Sequence, residues 1–410
     1  MKSGLGGLKA RRVGAAAMTT ELQKPRKRIS ITVKPTNNCN MRCKHCYHAE
    51  EGFQVGMLPT ASVKKMFDIA VAEYDDIFVV FHGGEPTLWG VENLVEVLEY
   101  QRELARRNPN IKFRNSIQTN GVLIDERWIK VLGDYHVAVG ISFDGPHNDD
   151  LRSNTDLVYR NMVAMKEAKI PFGVLCVESG KSIAKLEQTY EWFKSEGFSF
   201  KVLALFMSGN ALNHKELELD ITQYVDTLVQ VYKKWLYDQE CNISMKTFED
   251  FLKISDRMYC IQYGGSCIYK RICINPDGRI YPCGRPYTED FVLGHIDRLK
   301  KISDAFQSPG YRRLAEIGET RAKQCKEHCK YYGICRGGCV SSAILEGSFE
   351  KIDNTTCVRA KRLLASVTAI NDHIFALYDA GRDLDLMNPR ALHIMKKSRA
   401  GEYSFMNRAN

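Results

Sequence analysis

Three cysteines lie within one short segment, Asn38-Cys39-Asn40-Met41-Arg42-Cys43-Lys44-His45-Cys46-Tyr47, with the spacing Cys-x3-Cys-x2-Cys. Thiolates held this tightly in one loop can ligate three irons of a four-iron cluster. The fourth iron would keep an open coordination position, which a metal centre needs to bind and activate a substrate. A zinc knuckle is the plainer alternative for the same residues. A second run reads Cys267-x5-Cys273-x9-Cys283, then Cys325-x3-Cys329-x5-Cys335-x3-Cys339, then seventeen residues to Cys357. Eight thiolates suffice for two fully ligated cubanes, and a zinc ribbon is the alternative. Cys176, Cys241 and Cys260 are left over; Cys176 reads as a small hydrophobe in a buried strand.

Further polar loops accompany the first triad: His82-Gly83-Gly84-Glu85-Pro86, Gln118-Thr119-Asn120-Gly121, and Ser142-Phe143-Asp144-Gly145-Pro146 with Arg152 beyond. Paired glycines allow a backbone to approach a ligand, or simply make a turn. A guanidinium such as Arg152 suits a carboxylate through paired donors; a surface or capping charge is the bland reading.

On these motifs the chain resembles the radical S-adenosylmethionine (radical SAM) superfamily, and its late cysteines resemble the SPASM extension of peptide- and protein-modifying members. The resemblance implies three [4Fe–4S] clusters, one open-site and two auxiliary. The open-site cluster would sit on Cys39, Cys43 and Cys46. Cys267, Cys273, Cys283 and Cys339 would hold the first auxiliary cluster, and Cys325, Cys329, Cys335 and Cys357 the second. The family's usual start to the second run is Cys-x2-Cys; here it is Cys-x3-Cys. The resemblance also implies S-adenosylmethionine as cofactor, with its amino group at Gly83, Gly84 and Glu85 and further contacts from Ser142 and Arg152. His45 stands where the family has an aromatic residue, for adenine stacking or a supporting role. The implied chemistry is one-electron cleavage of S-adenosylmethionine to a 5′-deoxyadenosyl radical, which takes a hydrogen atom from an unactivated C–H bond. An external one-electron donor of flavodoxin or ferredoxin type is implied too.

The nearest layout is that of the anaerobic sulfatase-maturating enzymes, which place an aspartate after the third SPASM cysteine as the base. Here Gly284, Arg285 and Pro286 follow Cys283, and Asp277, in a turn sequence, and Asp290 are nearby carboxylates. The expected substrate is a peptide or protein side chain, undergoing cross-linking, epimerisation or oxidation. A small molecule such as a sugar or aminocyclitol is the alternative, which the lack of an evident leader-recognition domain favours. A non-enzymatic zinc protein is the third reading.

These residues need a scaffold. Val-, Ile- and Phe-rich blocks at 30–35, 77–82, 111–118, 137–143, 172–177 and 200–206 read as buried parallel strands. Val63, Met66, Phe67 and Ala70, and again Ile183, Leu186, Tyr190 and Phe193, mark apolar helix faces between them. The pattern predicts an α/β fold, a partial (β/α)6 barrel followed by a cysteine-rich SPASM domain, with each motif at the carboxyl end of a strand. A doubly wound open sheet is the structural alternative. The expected boundaries are a basic disordered tail over 1–28, the barrel over 29–214, a polar helical linker over 215–259, the SPASM domain over 260–360, and a C-terminal helix and loosely ordered tail over 361–410.

The formal charge of +9 does not require an anionic partner, because residues 1–28 carry eight Lys and Arg against Glu21 alone. No nucleic-acid partner is expected. Met18 is an alternative start, since the residues before it have no globular pattern. No apolar run approaches a membrane span or follows the basic tail as a secretory signal would. The expected location is the reducing cytosol, where fourteen cysteines stay thiols or bind metal.

Overall fold

The computed structural model describes residues 27–47, 56–253, 269–285, 287–347 and 354–402. Strands β1 (Arg28–Val33), β2 (Asp76–Phe81), β3 (Lys112–Thr119), β4 (Ala138–Ser142), β5 (Phe172–Glu178) and β6 (Phe200–Ala204) lie side by side in chain order, all parallel. The order never reverses, which excludes the doubly wound alternative and is that of a barrel wall. On β1, Ile29, Ile31 and Val33 enter the core, while Ser30 and Thr32 point to the other face. Both apolar helix stripes are fully buried against the sheet, with Ile183 in a short 3-10 turn before the helix Leu186–Glu196.

The cysteine-rich segment is less separate than expected. Its first strand, β7 (Arg271–Ile274), joins β1 in parallel from Ser30↔Arg271 to Val33↔Ile274. The antiparallel β8 (Arg279–Tyr281) and β9 (Gly294–His295) follow, so one nine-stranded sheet crosses the expected boundary.

Two expectations need correcting. The segment expected to be a polar helical linker is helical, but its helix Ile221–Leu236 is not polar throughout and buries Leu228, Val231, Tyr232, Trp235 and Leu236. It packs on the helix Thr355–Asp379, where Asn371 accepts from Tyr232 Oη (2.7 Å) and donates to the Phe251 carbonyl (2.7 Å). The C-terminal stretch is also ordered, as a helix Pro389–Arg399 with Ala391, Ile394 and Met395 buried. Buried Asn388 caps it and donates to the Trp235 carbonyl. Of the expected basic tail, residues 1–26 lie outside the described residues, and Arg28 already opens β1. Among the described residues no helix is long and apolar enough to cross a membrane.

Candidate active site

The cysteine triad follows β1 directly and is pinned from several sides. Glu85 N donates to the Asn38 carbonyl (2.8 Å), Asn210 N to the Cys46 carbonyl (2.9 Å), and Lys44 N to the Leu151 carbonyl (2.9 Å). Three strand ends are thereby tied to one loop. Gly83 and Gly84 are explained by this packing: a Cβ on either would collide with the carbonyl oxygens of Thr36, Asn37 or Asn38. The close approach they permit is between two backbones, at the carboxyl ends of β1 and β2.

Glu85 is buried and its carboxylate is fully engaged. Oε1 accepts from Thr87 N, Thr87 Oγ1 and Thr119 Oγ1, and Oε2 from Asn120 N. Burial raises its pKa, and these donors oppose the rise. The side chain therefore stitches the end of β3 to the glycine loop. It lines the cavity, with its carboxylate already committed to that bracing.

Cys39, Cys43 and Cys46 line a cavity of about 310 Å³, as do His45, Gly83, Gly84, Glu85, Ser142 and Arg152. That volume is at the lower end for small-molecule sites. Every candidate cofactor contact read from the sequence is thus brought to one cavity. Arg152 is the C-cap residue of the short helix Asn148–Leu151, but its guanidinium is buried against Asp144 and is no surface charge. Its Nε lies 2.8 Å from Asp144 Oδ2 and its Nη2 3.4 Å from Oδ1, and both side chains are buried. Ser142 Oγ accepts from Gln118 Nε2 (2.9 Å).

The thiols fit a metal cluster. Burial raises the pKa of Cys39, against the Met41 amide and Asn120; burial also raises that of Cys43, against the charge of Arg152. A bound cation reverses that logic and holds thiolates outright. Asn120 Nδ2 lies 3.7 Å from Cys39 Sγ, and Met41 N lies 3.4 Å from it, both as donors. His45 is driven well below the ordinary imidazole range by burial and by Arg152, and its buried Nδ1 has no protein partner. Among the described residues no three His, Cys, Asp or Glu side chains gather round one point as a single ion needs. Each thiolate of a cubane binds its own iron and needs no such gathering.

The later cysteines divide into two groups. Cys325, Cys329, Cys335 and Cys357 line one small cavity in the second domain. Burial, then the neighbouring Cys357, Cys325 and Cys329, push the Cys335 thiol up to about 12. The unusual Cys-x3-Cys spacing is accommodated because Cys325 lies in the last turn of the helix Pro309–His328, of which Cys329 is the C-cap, so the two are about one turn apart. Cys273 lies on β7 beside Thr32 of β1. Cys283 Sγ is 3.6 Å from Tyr287 Oη. Cys339 lines the small cavity and also interacts with Arg285 and Tyr287, as Cys283 does. Cys267 and Cys260 lie outside the described residues. Cys176 is buried, as expected, and donates to Glu178 Oε1 (3.5 Å). Asp277 performs turn duty, accepting from Arg279 N, and Asp290 pairs with Arg313.

Two residues at the site were not singled out from the sequence. Tyr47 lines the cavity, and its phenol is pushed up by burial, with Cys46, Cys283 and Cys273 close enough to add to the shift. It therefore stands between the triad and the first late group. Arg285 closes the cavity from the second domain; its Nη1 donates to Ser342 Oγ (2.9 Å), and its guanidinium lies 5.6 Å from the Phe206 ring centre. Burial works against its charge, and the surrounding Cys339, Cys283, Tyr47 and Tyr287 favour it, so that on balance its pKa is raised. The only available signals were adjacency to Cys46 and to Cys283.

The Radical SAM superfamily model matches residues 33–193, and the SPASM model, an iron–sulfur cluster-binding domain, matches residues 266–336. The chain belongs to the radical SAM superfamily and carries a SPASM domain. It is accordingly an enzyme whose cofactors are S-adenosylmethionine and [4Fe–4S] clusters. Among curated relatives it is 27% identical over 337 residues to a cysteine-type anaerobic sulfatase-maturating enzyme of Clostridium perfringens, covering 76% of this chain and 88% of that one. A serine-type counterpart from Klebsiella aerogenes is 24% identical over 328 residues, covering 75% and 79%. Among solved structures, anSMEcpe with bound AdoMet and Cp18Cys peptide superposes with a TM-score of 0.72 at 24% identity, covering 85% of this chain and 99% of that one. SuiB of Streptococcus suis bound to precursor peptide SuiA gives 0.59 at 18%, covering 81% and 76%.

Proposed function

We propose that this enzyme modifies a side chain of a peptide or protein by abstracting a hydrogen atom from it. The observation that carries the reading is that the triad and the SPASM residue Arg285 line one cavity, with Tyr47 between the triad and Cys273 and Cys283. The likeness to sulfatase-maturating enzymes and to peptide-bound SuiB supports a peptide as substrate.

In this reading Cys39, Cys43 and Cys46 hold the open-site cluster. Cys267, Cys273, Cys283 and Cys339 hold the first auxiliary cluster, and Cys325, Cys329, Cys335 and Cys357 the second. When bound, the reduced open-site cluster and S-adenosylmethionine supply a 5′-deoxyadenosyl radical able to take a hydrogen atom from an unactivated C–H bond. The chain's own residues orient the reactants. Arg152, aimed by Asp144, presents its remaining donors to a carboxylate. His45 offers a neutral ring with an unpartnered nitrogen. Gly83 and Gly84 bring their backbone to the cavity edge, braced by Glu85. Leu203, Leu205 and Phe206 provide apolar wall that excludes water.

Among the described residues the cavity offers no free carboxylate as a base. Among the described residues Glu85 is its only lining carboxylate and is saturated with donors, and Arg285 occupies the second-domain wall. Gly284 stands after Cys283 where the sulfatase-maturating enzymes place an aspartate base, which favours cross-linking or epimerisation over alcohol or thiol oxidation. The deciding experiment is anoxic incubation of the reconstituted enzyme with S-adenosylmethionine, dithionite and candidate peptides, read by mass spectrometry. Mass changes in a peptide, with transfer of its deuterium label into 5′-deoxyadenosine, support the reading. Label transfer from a sugar or aminocyclitol and from no peptide contradicts it.

A further inference from the structure

We infer that Arg285 is a fixed positive charge that sets the reduction potential of the first auxiliary site. The inference rests on the cluster assignment above and gives a role to a residue that no ligand assignment covers.

The guanidinium stands where the cavity meets the late cysteines. It lies two residues after Cys283, and its Nη1 holds Ser342, three residues after Cys339. On the cavity side it packs near the Phe206 ring. Gly284, immediately before it, lies against Thr32 of β1, which fixes this turn on the barrel wall. Its anchors are a hydroxyl and an aromatic ring, both neutral. Among the described residues no carboxylate pairs with Arg285, whereas the other cavity arginine, Arg152, is neutralised by Asp144. Its charge is left to act on Cys339 and Cys283.

A cubane held by four thiolates gains one further negative charge on one-electron reduction. A nearby cation in a low-dielectric setting stabilises the reduced form more than the oxidised one, and so raises the potential. Arginine keeps its proton throughout, so reduction takes up one electron and no proton from this group. The charge sits beside the space where the substrate must lie, which suits a site that accepts an electron from the cavity.

The full chain carrying C39A/C43A/C46A, reconstituted anoxically, leaves the auxiliary sites to be read by EPR during a dithionite titration. In that background Arg285→Met should lower one auxiliary midpoint by a tenfold change in the one-electron equilibrium, ~59 mV, and leave the other in place. Arg285→Lys, which keeps a charge, should stay near the parent. Arg285→Gln, which keeps a polar partner for Ser342, is held to the same result as Arg285→Met should the latter not assemble. Unmoved midpoints in the neutral variants, or equal displacement in Arg285→Lys, overturn the inference, and so does loss of iron in both neutral variants, which would make the residue structural. An iron count near zero in the parent would contradict the cluster assignment instead, so the two failures are distinguishable.

Discussion

Asp144 clasps Arg152 through both carboxylate oxygens, at 2.8 Å and 3.4 Å, and Asp144 Oδ1 also accepts from the Val177 amide at 2.7 Å. One buried carboxylate thus sets the aim of the guanidinium at the cavity and ties it to β5. Removing one partner of a buried pair costs about 3–5 kcal/mol, because the other charge is stranded. Asp144→Asn should lower the urea-unfolding free energy by that order and weaken S-adenosylmethionine binding at least tenfold, measured by the EPR change on adding it. Wild-type affinity would show that Arg152 needs no such support.

Glu85→Gln should loosen the same cavity from its other side. An amide presents one acceptor oxygen where the carboxylate accepts four hydrogen bonds, so its NH2 faces donors. Each stranded buried donor costs about 1–3 kcal/mol. The variant should unfold at lower urea and bind S-adenosylmethionine more weakly.

Gly84→Ala tests whether the glycine loop and the cysteine loop share one geometry. An added Cβ would meet the carbonyls of Asn37 and Asn38, immediately before Cys39. The expected outcome is loss of about four of twelve irons per chain, with the auxiliary clusters still assembled. Full iron content would mean that the triad tolerates displacement of the glycine loop.

Glu178 supplies a pH signature. Burial raises its pKa to about 7, against the hydrogen bond from Ser182 Oγ (2.6 Å). The unfolded carboxyl titrates near 4.3, so between that pH and about 7 the folded state binds the proton and the unfolded state does not. This contribution to stability is complete below about pH 4 and is lost as pH rises through 7, at up to ~1.4 kcal/mol per pH unit. Glu178→Gln should therefore gain on the wild type in urea midpoint on going from pH 5 to pH 8. A constant difference between the two proteins would contradict the assignment.

The six barrel strands were legible because buried parallel strands are rich in Val, Ile and Phe, and each predicted span agrees with the structure to within two residues at each end. The triad was legible because its chemistry is local. β7 was not, since Arg271–Ile274 is four residues long and becomes a barrel strand only by pairing with β1, more than 200 residues earlier. The helix Ile221–Leu236 was misread as polar because Lys233 and Lys234 adjoin the buried Tyr232 and Trp235; its 3.6-residue apolar period carried the correct answer. Arg285 and Asp144 were out of reach for a different reason. Their roles come from what the tertiary structure sets beside them, and no spacing in the chain encodes that.

The account turns on the loop at Cys39, Cys43 and Cys46 leaving one iron open to S-adenosylmethionine. The most direct measurement is 5′-deoxyadenosine formation by the anoxically reconstituted chain with S-adenosylmethionine and dithionite, beside C39A/C43A/C46A. The wild type should form it, and the triple variant should form none while keeping its auxiliary iron. No cleavage by an iron-replete wild type, or equal cleavage by both proteins, would contradict the account.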